Sequence, residues 1–235
     1  MTIFAGVQKR EFVVIAADQK VHFLPGGAEP PAERPRFHQK VAIHSHLPLA
    51  MATMGPDLIP VGDPKDPGLH MFAWKWLEHF GERYTSQADL LLQHIQDDAD
   101  KLLRPVHERW CALGGLDPSN PADRWSFLVA VVVGSSPALG RIRLGGGTTL
   151  EREPSFFCPP DSIAQAVGSL PELSMLRKTA TESEDSDAVA RALEQAVTAT
   201  IRLEAAKHGG KNVEIGEPVD IVVVDGSGAR PWHAK

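Results

Sequence analysis

The chain has 235 residues, of which 43% are hydrophobic and 23% charged, and a formal net charge of -6 at pH 7. This composition is typical of a globular protein, and its acidic balance argues against nucleic-acid binding, which needs clustered lysine and arginine. No apolar run approaches the roughly 18 residues of a membrane span, no secretory signal is recognisable, and Cys111 and Cys158 lack metal-ligand spacing. We therefore expect a soluble, cytoplasmic protein that binds neither membranes nor nucleic acid.

The N-terminal part of the chain predicts two hairpins. Its apolar segments are rich in Val, Ile and Phe, and the first two are joined by the charged connection Lys9-Arg10-Glu11. A loop rich in proline and glycine at 25–36 separates them from the second hairpin, which turns at His46-Leu47-Pro48. The predicted strands are 2–8, 12–17, 20–24, 39–45 and 49–54.

Helical and extended patterns alternate in the remainder of the chain. An aromatic-rich helix around 71–80 is followed by a helix from Ser86, whose apolar stripe runs through Leu91, Leu102 and Leu103 to Val106. The continuous apolar run 127–133 predicts a strand that is buried on both faces. The later elements are predicted as strands 141–144, 148–153 and 155–158, a helix 161–168, an exposed acidic stretch 181–187, a helix 186–207 and a strand 219–224.

This order of elements predicts the fold class. Hairpins separated by pairs of helices fit an α+β protein in which two antiparallel sheets pack face to face with helices outside, a four-layer αββα sandwich. No internal repeat or domain boundary is evident, so we expect one domain over residues 1–235.

Several N-terminal residues resemble one known family. They are Thr2, the pair Gly6-Val7, the segment VVIAAD ending at Asp18, Lys40 at the start of KVAI, and LAMATMG ending at Gly55. In these residues the chain resembles proteasome β-type subunits, a family of N-terminal-nucleophile hydrolases, and in particular a divergent bacterial proteasome homologue. The later order of elements is similar as well.

The resemblance implies a catalytic centre at the N-terminus. Removal of Met1 would expose Thr2, whose hydroxyl is the family's nucleophile and whose α-amine is the base, a known way of activating a weak hydroxyl. An α-amine has a pKa of roughly 7.7–8.0, which suits a base near neutral pH. Lys40 corresponds to the lysine beside the nucleophile, and Asp18 to the aspartate that pairs with that lysine.

Two further residues acquire roles from the same resemblance. The backbone N–H of Gly55 corresponds to the oxyanion donor, and Thr53 to a residue facing the pocket for the substrate side chain. Each residue also has a more ordinary interpretation, since aspartates cap strands, lysines occupy strand edges and Gly-Pro marks turns. The prediction rests on the combination of a hydroxyl, a carboxylate, an ammonium group and a glycine at the ends of predicted strands.

The later part of the chain departs from the family pattern. Where the family has a Gly-Ser-Gly turn, the sequence reads 157–162 (FCPPDS), so that Ser162 is the hydroxyl on offer. The family's Asp-to-Ser stretch after the long helix is replaced by 207–212 (KHGGKN). Both a working protease with rebuilt auxiliary residues and a partly inactivated fold remain open.

Three other sequence patterns have simple structural explanations. His22, His38, His44 and His46 form a histidine-rich region in which His44 and His46 would share a strand face, but zinc needs three or four convergent ligands, and surface histidines are the simpler interpretation. Gly145-Gly146-Gly147 lacks the lysine and helix of a phosphate-binding loop, so a turn is expected. Trp74 and Trp76, with Phe72 and Phe80, are expected in the core or a subunit contact.

The resemblance implies a threonine-type endopeptidase that forms an acyl-enzyme on Thr2 within a self-compartmentalising, proteasome-like homo-oligomeric ring. It requires neither a metal nor an organic cofactor. The expected substrates are peptides or unfolded proteins, and an ATP-dependent unfoldase is a candidate partner. An N-terminal-nucleophile amidase acting on a small molecule and a non-catalytic ring or scaffold subunit are the alternatives.

Overall fold

The computed structural model describes residues 4–19, 40–54, 72–85, 87–114, 117, 119, 125–144, 162–165, 176, 178–179, 182–207 and 218–233. The strands within these residues are β1 (Phe4–Gln8), β2 (Phe12–Asp18), β3 (Val41–Ile43), β4 (Leu49–Met54), β5 (Trp125–Val133), β6 (Ser136–Leu144), β7 (Ser162–Gln165), β8 (Val219–Asp225) and β9 (Gly228–Pro231). The helices are α1 (Phe72–Glu82), α2 (Ala88–Asp98), a π-helical segment (Ala99–Leu103), α3 (Arg104–Gly114) and α4 (Ser186–Lys207).

The strands form two sheets in which all pairs are antiparallel. Sheet I has the order β7-β1-β2-β8-β9, and sheet II has the order β3-β4-β5-β6. The N-terminal hairpin therefore lies inside sheet I, where its backbone groups are paired on both sides. Strands β1 and β2 are also buried along their whole length, because one face of the hairpin packs on sheet II and the other on α4.

Three apolar clusters show that the sheets and helices form four layers. One cluster lies between the sheets and joins residues such as Ile15 of sheet I to Leu128 of sheet II. A second packs the outer face of sheet I against α4, and a third packs the outer face of sheet II against α1, α2 and α3. At Gly6 the sheets approach so closely that a Cβ would lie 2.8 Å from Leu139 Cδ2. The predicted layered architecture is confirmed.

Most elements predicted from periodicity are present. The two N-terminal hairpins, the aromatic helix, the buried strand β5, the long helix α4 and the strand β8 are confirmed. Trp76 and Phe80 lie in the core, as expected, and the described residues 182, 184, 185 and 187 of the acidic stretch are exposed. The predicted segments 20–24, 25–36, 148–153 and 155–158 and the glycine run 145–147 lie outside the described residues.

Other local predictions were wrong. Residues 162–165 form strand β7 and not part of a helix, because this short segment pairs with the edge of β1. Strand β6 begins at Ser136, earlier than predicted, and β9 was missed. His44 and His46 do not share a strand face, since β3 ends at Ile43 and both histidines lie in the following turn.

The π-helical segment explains why the apolar stripe predicted for the second helix is only partly buried. An extra residue in one helical turn rotates the buried face of everything that follows. Leu91 before the segment is buried. Within and after it, the buried residues among the described side chains are Leu103, His107 and Cys111, while Leu102 is exposed. The predicted stripe was therefore right at Leu103 and wrong at Leu102.

Lys9 departs from the expected polar connection between β1 and β2. Arg10 and Glu11 are exposed, as their charges suggest, whereas Lys9 is fully buried. Its Nζ lies 3.5 Å from the carboxylate of Glu184, which comes from the acidic stretch before α4. A buried ammonium group needs such a partner, so the hairpin turn is tied to the N-terminal end of α4.

The turn between β8 and β9 gives a prediction about pH. Asp225 accepts hydrogen bonds from Ser227 and Arg230, and although burial alone would raise its pKa, these bonds hold the pKa of this carboxyl below its usual value. A lowered folded-state pKa contributes stability above the unfolded pKa of about 3.9 and loses it as the pH falls. An Asp225→Asn variant should therefore have a lower Tm than the wild type at pH 7. The difference should shrink below about pH 4, as thermal melts at both pH values would show.

None of the described helices combines the length and apolar character needed to cross a membrane.

Candidate functional site

Strand ends from both sheets meet at one end of the sandwich. Strand β1 begins at Phe4, which is paired with Ala17, one residue before β2 ends at Asp18. The register of β2 and β8 pairs Asp18 with Val219, the first residue of β8. Sheet II contributes Lys40, which immediately precedes β3. The start of β1, two residues after Thr2 in the sequence, thus lies at the end of the fold that carries Asp18.

Asp18 and Lys40 form a buried ion pair between the two sheets. Lys40 Nζ donates to Asp18 Oδ2 over 3.1 Å, and the residues are 5% and 0% exposed. Removing two charges from water costs several kcal/mol per ion, and their attraction offsets this cost only when the geometry is good. The two predicted residues are therefore brought together, and the ammonium group of Lys40 is held against the carboxylate of Asp18.

Asp220 on β8 is a third charged residue at this end, and the sequence analysis missed it. Asp220 Oδ2 accepts a hydrogen bond of 3.2 Å from the backbone N–H of Lys40, and its Oδ1 accepts one from the side-chain amide of Gln19. The only signal in the sequence was a carboxylate interrupting the apolar strand 219–224. Because side chains alternate between the two faces of a strand, Asp220 is expected on the face opposite Ile221.

Thr53 lies beside Lys40 on the neighbouring strand. Its backbone N–H donates to the carbonyl of Lys40 over 3.2 Å, and the residue is 5% exposed. It is paired with Phe127, and by strand alternation it shares a face of β4 with Met51, which packs on the helical side of sheet II. The structure thus places Thr53 next to Lys40, and its role toward substrate remains a proposal.

The predicted nucleophile and oxyanion donor, Thr2 and Gly55, lie outside the described residues. The chain nevertheless runs directly into Thr2 from Phe4 and into Gly55 from Met54, and both strand ends are described. Ser162, the hydroxyl considered as a later helper, is a different case. It is paired with Gln8, at the end of β1 remote from Asp18, so the suggestion that Ser162 supports the nucleophile was wrong.

Strand β7 runs toward the end of the sandwich that carries Asp18. From Ser162 opposite Gln8, the strand runs to Gln165 opposite Ala5, toward the end that carries Asp18. The sequence that follows is Ala166-Val167-Gly168-Ser169, which contains a Gly-Ser pair outside the described residues. The prediction of a helix over 161–168 left this Gly-Ser pair out of consideration as a source of the hydroxyl.

The histidine-rich region does not form a metal site in the described part of the chain. No group of three or more His, Cys, Asp and Glu side chains converges among the described residues. The Nδ1 atom of His44 instead accepts hydrogen bonds from the backbone N–H groups of His46 and Leu47, at 3.1 and 3.2 Å. His44 therefore stabilises the turn between β3 and β4, while His22 and His38 lie outside the described residues.

No family model matches the sequence, and no curated protein matches it by sequence. Solved structures match its fold. A Gly-1 mutant of Anbu from Hyphomicrobium sp. strain MC1 has a TM-score of 0.50 at 12% identity, with 96% of this chain and 82% of that chain covered. Anbu from Yersinia bercovieri, described as an ancestral beta-subunit, has a TM-score of 0.51 at 11% identity, with 97% and 86% covered. The chain is similar in fold to both Anbu structures.

This likeness confirms the predicted fold class, an α+β protein in which two antiparallel sheets and outer helices form an αββα sandwich. At 12% and 11% identity the likeness is one of fold, and it assigns no role to a residue. The chemistry must be argued from the site, where a buried carboxylate, an ammonium group and the start of β1 lie at one end of the sandwich.

Proposed function

We propose that the chain is a threonine-type peptidase whose nucleophile is Thr2 after removal of Met1. The observation that supports this function best is the buried Asp18–Lys40 pair at the end of the sandwich where β1 begins. A structural ion pair could lie anywhere between the sheets. This one lies at the end of the sandwich where β1 begins, two residues after Thr2 in the sequence, and it therefore supports a nucleophile at Thr2.

The proposed mechanism uses the N-terminal residue twice. The hydroxyl of Thr2 attacks the scissile carbonyl while the α-amine accepts its proton, and the proton later passes to the leaving amine. The resulting ester is hydrolysed by water, with the same amine as the base. The backbone N–H of Gly55 would bind the oxyanion, and such a donor contributes on the order of 3 kcal/mol.

Lys40 would act by its charge and not by proton transfer. A neighbouring ammonium group favours the neutral form of the α-amine and stabilises a developing alkoxide. Asp18 holds that ammonium group in place through the 3.1 Å contact. Thr53, buried beside Lys40, would border the pocket for the substrate side chain and favour small or modestly polar residues.

The first test is the state of the N-terminus. Intact-mass spectrometry should show the loss of Met1, and the purified protein should hydrolyse a panel of fluorogenic peptides. Retention of Met1 would block the amine and contradict an active enzyme. Hydrolysis of small amides but not of peptides, with sedimentation as a monomer, would favour the amidase. An oligomeric ring with neither activity would favour the scaffold subunit.

The register of β7 adds a prediction about auxiliary residues. Ser169→Ala should lower kcat by roughly 10- to 100-fold, because the chain leaves β7 toward the start of β1 and a positioned proton-transfer group contributes about this much or more. Ser162→Ala is the matched control and should leave kcat unchanged, since Ser162 is paired with the opposite end of β1. Steady-state kinetics on one peptide substrate decide between them, and the reverse ranking would refute the assignment.

A further inference from the structure

We propose that Asp220 is a positioning residue that holds the backbone of Lys40 so that its ammonium group reaches Asp18 and the N-terminal nucleophile. The inference rests on the proposed function and adds to it a residue on β8. Asp220 belongs to sheet I, whereas Lys40 leads into β3 of sheet II. The carboxylate therefore ties the two sheets together at the site itself.

The contacts of Asp220 are specific. Its Oδ2 accepts the backbone N–H of Lys40 at 3.2 Å, and its Oδ1 accepts the side-chain amide of Gln19. Gln19 is itself held by a hydrogen bond of 3.1 Å from its backbone N–H to the carbonyl of Pro218. The carboxylate of Asp220 is consequently held in orientation by Gln19, independently of its contact with Lys40.

The backbone of Lys40 is held from both sheets. Its carbonyl accepts the N–H of Thr53 from sheet II at 3.2 Å, and its N–H donates to Asp220 from sheet I. With both groups bonded, the Cα of Lys40 is fixed and only the side-chain torsions remain free. The short strand β3, with three residues, could not fix this position alone.

An ionised acceptor suits this task. A carboxylate is a stronger acceptor for a backbone N–H than a neutral group is. Asp220 is also half-buried, so water competes with it less than it would at an exposed position. Loss of the carboxylate would leave the start of β3 held by sheet II alone and would let the ammonium group move relative to Asp18.

The test compares Asp220→Ala with two controls. Asp220→Ala should lower kcat by about 10- to 100-fold with little change in KM, because a displacement of about 1 Å at a catalytic group costs this much. Asp220→Asn should retain most of kcat, since its amide oxygen still accepts the N–H of Lys40 and a rotated Gln19 amide can accept its NH₂ group. Asp225→Ala is the matched control, because it removes a hydrogen-bonded carboxylate from the other end of the same strand.

A second measurement does not depend on activity. Hydrogen–deuterium exchange of a peptide spanning residues 37–43, which retains the N–H of Lys40, should be faster in Asp220→Ala than in the wild type, and unchanged in Asp225→Ala. Wild-type exchange in Asp220→Ala, or equal losses of kcat in Asp220→Ala and Asp225→Ala, would overturn the positioning role. An inactive wild type together with faster exchange in Asp220→Ala would instead refute the peptidase and leave the backbone contact standing.

Discussion

Thr2→Ala should reduce peptidase activity by roughly 10⁴-fold or more, because removing a nucleophile abolishes the acyl-enzyme route and leaves only binding and oxyanion stabilisation. The fold should be unaffected, since the described part of β1 starts at Phe4 and the strand is held by pairs with β2 and β7. The decisive measurement is kcat/KM on a fluorogenic peptide, alongside the far-UV circular dichroism spectrum.

The matched control is Thr2→Ser, which keeps the hydroxyl and should keep measurable activity. Intact mass must be recorded for each variant, because removal of Met1 is required in all of them. Full activity in Thr2→Ala would show that the observed hydrolysis comes from another site or a contaminant and would end the proposal.

Breaking the buried ion pair should damage both stability and activity. Lys40→Met leaves the Asp18 carboxylate without its ammonium partner in a position where Asp18 is 0% exposed. Removing one partner of a buried pair typically costs about 3–5 kcal/mol in the free energy of unfolding. Urea unfolding should show this loss. The kcat should also fall, because the proposed nucleophile loses a neighbouring positive charge.

The double variant Asp18→Asn/Lys40→Met separates the two effects. It removes both charges, so the free energy of unfolding should recover much of what Lys40→Met lost, while peptidase activity stays low. Lys101→Met is the control for a lysine in an ion pair, because its contact with Asp97 is exposed and worth at most about 1 kcal/mol. An active double variant would make the buried pair a structural feature without a catalytic role.

The N-terminal hairpins could be predicted from the sequence because their information is local. Apolar runs, the Lys9-Arg10-Glu11 connection and the turn before Leu49 each fix an element without reference to distant residues. The pairing of Asp18 with Lys40 was predicted only through resemblance to a family. The proline- and glycine-rich segment 25–36 separates the two residues in the sequence, and nothing local brings them together.

The remaining features depend on contacts between distant segments. Strand β7 exists because β1 offers it an edge, and no periodicity in four residues could reveal that. Asp220 becomes part of the site through its neighbours Gln19 and Lys40, which precede it by most of the chain. Lys9 is buried because Glu184 reaches it from the acidic stretch before α4.

Gln8 connects the two sheets at the end of β1 remote from Asp18. Its side-chain oxygen accepts the N–H of Leu139 at 2.8 Å, and its amide nitrogen donates to the carbonyl of Pro137 at 3.4 Å. Apart from these contacts and those of Lys40 with Asp18 and Asp220, the described parts of the sheets meet through apolar side chains, whose contacts have no direction and therefore resist sliding only weakly.

A site shared between two sheets is only as accurate as their alignment. The hydrogen bonds of Gln8 fix the crossing of β1 over β6, and therefore the distance between Asp18 on one sheet and Lys40 on the other. The Gln8 side chain therefore helps to set the relative position of the two sheets at a distance from the candidate site. We expect substitutions at Gln8 to change the proposed peptidase activity without altering any group of the candidate site.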